Sequence, residues 1–101
     1  MVTVHEKQAL KRQLVTCLKG DRGIRKIIIF GSFLDSEDPG DMDVAIFQES
    51  RKGYLELALK YRKMVRNVAV RIPVDIFPVR PDAGNTAILA EIENGEVIYE
   101  R

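Results

Sequence analysis

The stretch Ile27-Ile28-Ile29-Phe30-Gly31-Ser32 decides how this sequence folds. Four apolar residues in a row, three of them β-branched, mark a strand buried on both faces. The strand reaches back to Ile24, where a Gly20-Asp21-Arg22-Gly23 turn ends. Gly31-Ser32 then breaks it. A glycine there lets the chain turn sharply and lets backbone N–H groups come close to a ligand. Alone, Gly-Ser after a strand is more often just a turn. What lies on either side therefore matters.

Downstream, Asp35-Ser36-Glu37-Asp38-Pro39-Gly40 is polar and turn-rich, and is expected to form an exposed loop. A second strand is expected from Asp41 to Phe47. Next, Tyr54, Leu57, Ala58, Tyr61, Met64, Val65 and Val68 trace one helical stripe between Arg51 and Val68. Tyr54 and Tyr61 are expected to face the core. A third strand, Val74 to Phe77, is bracketed by Pro73 and Pro78, which keep it short or near a sheet edge. Thr86 to Glu93 reads as a helix stopped near Gly95, and Val97-Ile98-Tyr99 as a last short strand. Upstream, Leu10, Leu14, Cys17 and Leu18 give a helix from Glu6 to Leu18. The order α-β-β-α-β-α-β implies an α/β (α+β) fold, a mixed sheet of about four strands with helices packed on it.

Composition narrows the function classes. With 101 residues, the chain fits a single domain over 1–101. Hydrophobic residues make up 46% and charged residues 31%, a globular balance. A net charge of +1 gives no sign of a nucleic-acid binder with a basic excess. The lone Cys17 falls in the helical apolar pattern and reads as a small core residue. The lone His5 has no Cys or second His near it, which excludes a zinc-type His/Cys site. No apolar run is long enough for a membrane span, and no apolar stretch follows the charges of the N-terminus as in a signal peptide. A cytoplasmic protein is expected. A P-loop is excluded because no Gly-Lys-Ser/Thr occurs.

Two further acidic features sit beside the Gly-Ser turn. Asp41-Met42-Asp43 places two carboxylates at i and i+2, on one face of a strand. They repel each other unless a cation or proton lies between them. Mg²⁺, a hard ion, takes a few carboxylates plus substrate phosphates. Asp75 sits within an apolar strand, between Val74 and Ile76-Phe77. Taken singly, the acids at Asp41 and Asp43 could be solvated at a strand entrance, and Asp75 could face water. Together the features explain one another.

In this combination, Ile28-Ile29-Phe30-Gly31-Ser32, Asp41-Met42-Asp43-Val44 and Val74-Asp75-Ile76 resemble the signature of the polymerase β-like nucleotidyltransferase superfamily. The size is similar to its minimal nucleotidyltransferase branch, as is the ending, Ile88-Leu89 through Glu91-Ile92 to Gly95-Glu96-Val97-Ile98-Tyr99-Glu100. The resemblance implies that Gly31 and Ser32 hold the triphosphate. It implies that Asp41 and Asp43 bind two Mg²⁺ ions, with Asp75 a ligand of the catalytic one that also orients the attacking hydroxyl. The implied reaction is transfer of a nucleoside monophosphate, AMP from ATP, to a hydroxyl. The implied partner is a HEPN-type protein, either as acceptor or as a surface that a binding module of antitoxin type occupies. A chain this short is expected to take its acceptor-binding surface from such a partner or from a homo-oligomer. Many minimal members carry an arginine in the loop after Gly-Ser. Here Asp35 stands about there, and Lys26, Arg51, Lys52 or Arg71 are the candidates to supply compensating charge.

Overall fold

A computed structural model describes residues 2–80 and 86–101, without the side chains of 86–88; the Ile88 side chain named above lies outside the described residues. The first helix, α1 (Val4–Leu18), starts two residues earlier than the apolar period requires. Its start is set by Thr3, whose hydroxyl oxygen accepts from the Glu6 N–H at 3.1 Å, a side-chain cap that satisfies one orphan donor. Leu10, Leu14 and Leu18 form its buried stripe. Cys17 is only partly buried and packs against the core rather than within it.

Four strands follow the expected order: β1 (Ile24–Phe30), β2 (Met42–Gln48), β3 (Val74–Val79) and β4 (Glu96–Glu100). They lie side by side as β3-β2-β1-β4. The sheet is mixed: β1 runs antiparallel to β2 and β4, and β2 parallel to β3. The apolar run of β1 divides between two layers, as period 2 requires. Ile27 and Ile29 join the larger core with Val44 and Ile46 of β2 and the stripe of α1. Ile28 and Phe30 join a smaller core with Ala45, Val79 and Ile92.

Several boundaries differ from the sequence reading. The 51–68 stripe is two helices, α3 (Tyr54–Met64) and α4 (Arg66–Ala69), divided at Val65, whose φ of −99° and ψ of 15° leave the helical well. Tyr61 is buried as expected, but Tyr54 is 58% exposed. It heads α3, at a helix end that stays largely open to solvent. Pro78 lies inside β3, opposite Ile46. An edge strand tolerates this because one side of its backbone has no ladder partner. Ser32–Asp35 is a short helix, α2, which takes in Asp35, expected to open the loop, and it buries Phe33 completely.

The chain closes with α5 (Thr86–Glu93) and a sharp turn into β4 at Gly95. A Cβ on Gly95 would lie 2.6 Å from both Ile28 Cγ2 and the Ile29 carbonyl oxygen, and 3.0 Å from the Ile92 oxygen. Backbone oxygens on two sides leave no room to give. Gly95→Ala is expected to destabilise the protein by about 1–3 kcal/mol, the cost of overpacking a tight contact, and denaturant unfolding would measure it.

Candidate nucleotide and metal site

Register builds the site. Across the antiparallel pair, Phe30 of β1 stands opposite Asp43 of β2. Across the parallel pair, Asp43 stands opposite Asp75 of β3. One row therefore crosses three strands, and the residue after Phe30 is Gly31. Asp43 shares a sheet face with Ala45, while Met42, Val44 and Ile46 are buried in the opposite layer. Asp41 lies one residue before β2 begins, not within it. The ladder still reaches its neighbour, because the Met42 N–H donates to the Pro73 carbonyl at 2.9 Å. Both strands thus deliver their acids at the same end.

Asp41, Asp43 and Asp75 each offer a carboxylate oxygen, and these three atoms lie within 4.8 Å of one another. Asp41 and Asp43 are half-buried and Asp75 is exposed. Such crowding has an electrostatic cost. Burial pushes the Asp43 carboxyl up to about 6, helped by the charges of Asp41 and Asp75, a hydrogen bond with the Asp75 side chain, and the charge of Glu91. Like charges at this spacing ionise together only when something positive joins them. An all-oxygen carboxylate set is the donor chemistry of a hard divalent cation. The donor set therefore fits the metal that the sequence reading assigned to it.

Gly31 borders the triad directly. It has φ 80° and ψ −157°, a region that belongs essentially to glycine. A Cβ there would stand 2.6 Å from Asp43 Oδ2. The absent side chain thus gives the carboxylate its place. Gly31 and Ser32 are both exposed beside it, open to a ligand.

The candidate compensating cations are not brought to the triad. Lys26, at the far end of β1, lies 3.9 Å from Glu100 and over the Phe47 ring. Arg51 and Lys52 follow the opposite end of β2 from Asp43. Arg71 donates to Gln13 Oε1 at 3.2 Å. One acid was missed by sequence reasoning: Glu91 of α5, whose charge is felt by Asp43. Its signal was available only through the fold, since nothing local links positions 43 and 91.

A mixed sheet carrying a glycine turn and three converging carboxylates defines a nucleotidyltransferase-type domain. The polymerase beta nucleotidyltransferase family model matches residues 12–101, and the chain belongs to that family. It is a nucleotidyltransferase domain. Solved structures share the fold. One match is to a chain of the complex of a tri-AMPylated Shewanella oneidensis HEPN toxin with an MNT antitoxin (19% identity, 94% of this chain and 73% of that one, TM-score 0.63). A second is to a chain of the toxin–antitoxin MntA–HepT (18%, 93% and 73%, TM-score 0.61). A third is to a chain of a toxin–antitoxin structure with AMP-PNP (18%, 90% and 73%, TM-score 0.63). Comparison with curated proteins gives no match. Among the described residues, no helix is long and apolar enough to cross a membrane.

Proposed function

We propose that residues 1–101 work as one domain that binds ATP with Mg²⁺ and transfers AMP to a hydroxyl on a HEPN-type protein partner. The observation that carries this reading is the convergence of three carboxylate oxygens beside a glycine turn. Asp41, Asp43 and Asp75 would hold two Mg²⁺ ions, which when bound neutralise phosphate charge and stabilise the attacking and leaving oxygens. Gly31 leaves its space free, and the Ser32 hydroxyl and N–H suit phosphate oxygens. Asp75, the exposed member, accepts or orients the proton of the attacking hydroxyl. A bond forms between the acceptor oxygen and the α-phosphorus, and the bond from that phosphorus to pyrophosphate breaks. The protein's contribution is position and fixed charge. Neighbouring structures whose names include AMPylation, a HEPN toxin and AMP-PNP support the choice of nucleotide and partner. A cytoplasmic location suits such chemistry.

The test uses ATP labelled at the α-phosphate, Mg²⁺ and a HEPN-type protein. Label is expected on the partner with the natural chain and not with Asp43→Asn or Asp75→Asn. Label that persists in both variants would sink the assignment.

A second reading is favoured by a separate observation: the stretch from Gly31 to Asp41 contains no arginine or lysine of its own, and Asp35 and Glu37 stand exposed in it. On this reading the chain acts by occupying its partner's surface. Partner binding would then survive Asp43→Asn, and calorimetry with ATP and Mg²⁺ would give no heat.

A further inference from the structure

Residues 31–41 join β1 to β2 and carry both halves of the candidate site, Gly31-Ser32 at one end and Asp41 at the other. Their middle is held from α1, distant in sequence. Lys7 Nζ donates to the Ser36 carbonyl oxygen at 2.6 Å in a part-buried position. Ser36 is the residue that closes α2. The same ammonium stands 5.5 Å from the centroid of the buried Phe33 ring. Nearby, the Val2 N–H donates to the Glu37 oxygen at 3.0 Å.

These bonds connect to the glycine turn. The Ser36 N–H donates to the Ser32 oxygen at 2.8 Å, and the Leu34 N–H to the Gly31 oxygen at 3.2 Å. A continuous path therefore runs from Lys7 through Ser36 to Ser32. The four-residue α2 has no side-chain cap at Gly31. A helix that short does not hold itself in water. An ammonium on a closing carbonyl is a charge-assisted bond at the favourable end of the helix.

We propose that Lys7 is a positioning residue for the nucleotide turn: its ammonium fixes α2, and so Gly31-Ser32, against the aspartates. This rests on the reading of Gly31-Ser32 as the triphosphate holder. Lys7 touches no reacting group. It supplies from α1 the cation that the acidic loop lacks, and spends it on backbone geometry.

The test compares the natural chain, Lys7→Met and Lys7→Arg. Calorimetry measures ATP with Mg²⁺, and separately Mn²⁺ alone. Hydrogen exchange follows the Leu34 and Ser36 amides. Lys7→Met keeps the aliphatic stem over Phe33 and is expected to weaken ATP–Mg²⁺ affinity about fivefold, the scale of one charge-assisted hydrogen bond acting indirectly. Mn²⁺ affinity stays unchanged, because Asp43 and Asp75 lie within sheet strands and Asp41 directly precedes Met42, whose N–H is tied to the Pro73 carbonyl. Exchange speeds up in α2 and not in β1 or β2, and Lys7→Arg restores the natural values. Unchanged ATP affinity or unchanged α2 exchange in Lys7→Met overturns the role of Lys7 alone. So does an equal loss of ATP and Mn²⁺ binding, which would mark general damage. A natural chain that binds Mn²⁺ but no ATP overturns the nucleotide reading, and this proposal with it.

Discussion

Asp43→Asn is expected to raise the melting temperature of the metal-free protein at pH 7 and, in the same variant, to remove nucleotide transfer. The two effects share one cause. The folded Asp43 carboxyl titrates at about 6, above its ordinary value of 3.8. Between those values the folded state holds a proton that the unfolded chain has released. Stability therefore falls as pH rises from about 4 to about 6, and the full cost stands at pH 7. The shift on its own would correspond to about 3 kcal/mol. Asp43 is only half-buried, so solvent screening reduces this to about 1 kcal/mol. An amide of the same shape carries no charge and escapes the cost. For a chain of this length that is about 5 °C in melting temperature. The natural protein melted in chelator should gain stability on acidification to pH 4–5 relative to the variant. Added Mg²⁺ or Mn²⁺ should stabilise the natural protein and leave the variant nearly unmoved. Transfer should drop about 10²–10³-fold, the loss that follows removal of one preorganised charge-stabilising group. A variant no more stable than the natural chain, with the same pH slope, would mean that the three carboxylates do not repel as their geometry requires.

The same residues show how far the sequence could be read. The run Ile27–Phe30 promised burial on both faces, and its side chains do divide between two cores. The alternation at Asp41-Met42-Asp43 promised two acids on one face, and Met42 is fully buried in the opposite layer. Both readings use only the period of two along a strand, which is local. The placement of Asp75 is different. It depends on β3 pairing parallel to β2 in the register that sets Asp75 beside Asp43. No local signal fixes that pairing; beforehand Asp75 was joined to the other acids only by the combined pattern of features and by the family resemblance. The helix α2 was missed because four residues are too few for a helical period. Phe33 and Leu34, apolar between a turn and an acidic stretch, were the available sign. Tyr54 shows the opposite failure: periodicity includes it, but a stripe says nothing of where the neighbouring layer ends. Lys7 and Ser36 meet across 29 positions, beyond the reach of any local pattern.

Gly31→Ala should damage fold and site together, and its cost should divide into two measurable parts. The first part is backbone. At φ 80° and ψ −157° an alanine is strained wherever its side chain points, at about 1–3 kcal/mol. The second part is steric, since the added carbon falls 2.6 Å from Asp43 Oδ2. A carboxylate can swing aside, so this part costs the fold little. It costs the site much, because Asp43 leaves the cluster in which its oxygen meets those of Asp41 and Asp75. The variant should melt about 5–15 °C lower, and at temperatures where it remains folded its Mn²⁺ affinity should still be reduced. A double-mutant cycle with Asp43→Ala separates the parts. Without the carboxylate, Gly31→Ala should retain its backbone cost in melting temperature, while its effect on residual metal binding disappears. If the metal effect persists undiminished in that background, the glycine does not act through Asp43. If the melting cost vanishes there as well, the strain resided in the side-chain contact and not in the backbone. The expected outcome is that the backbone conformation requires a glycine for stability, and the neighbouring carboxylate requires it for metal binding.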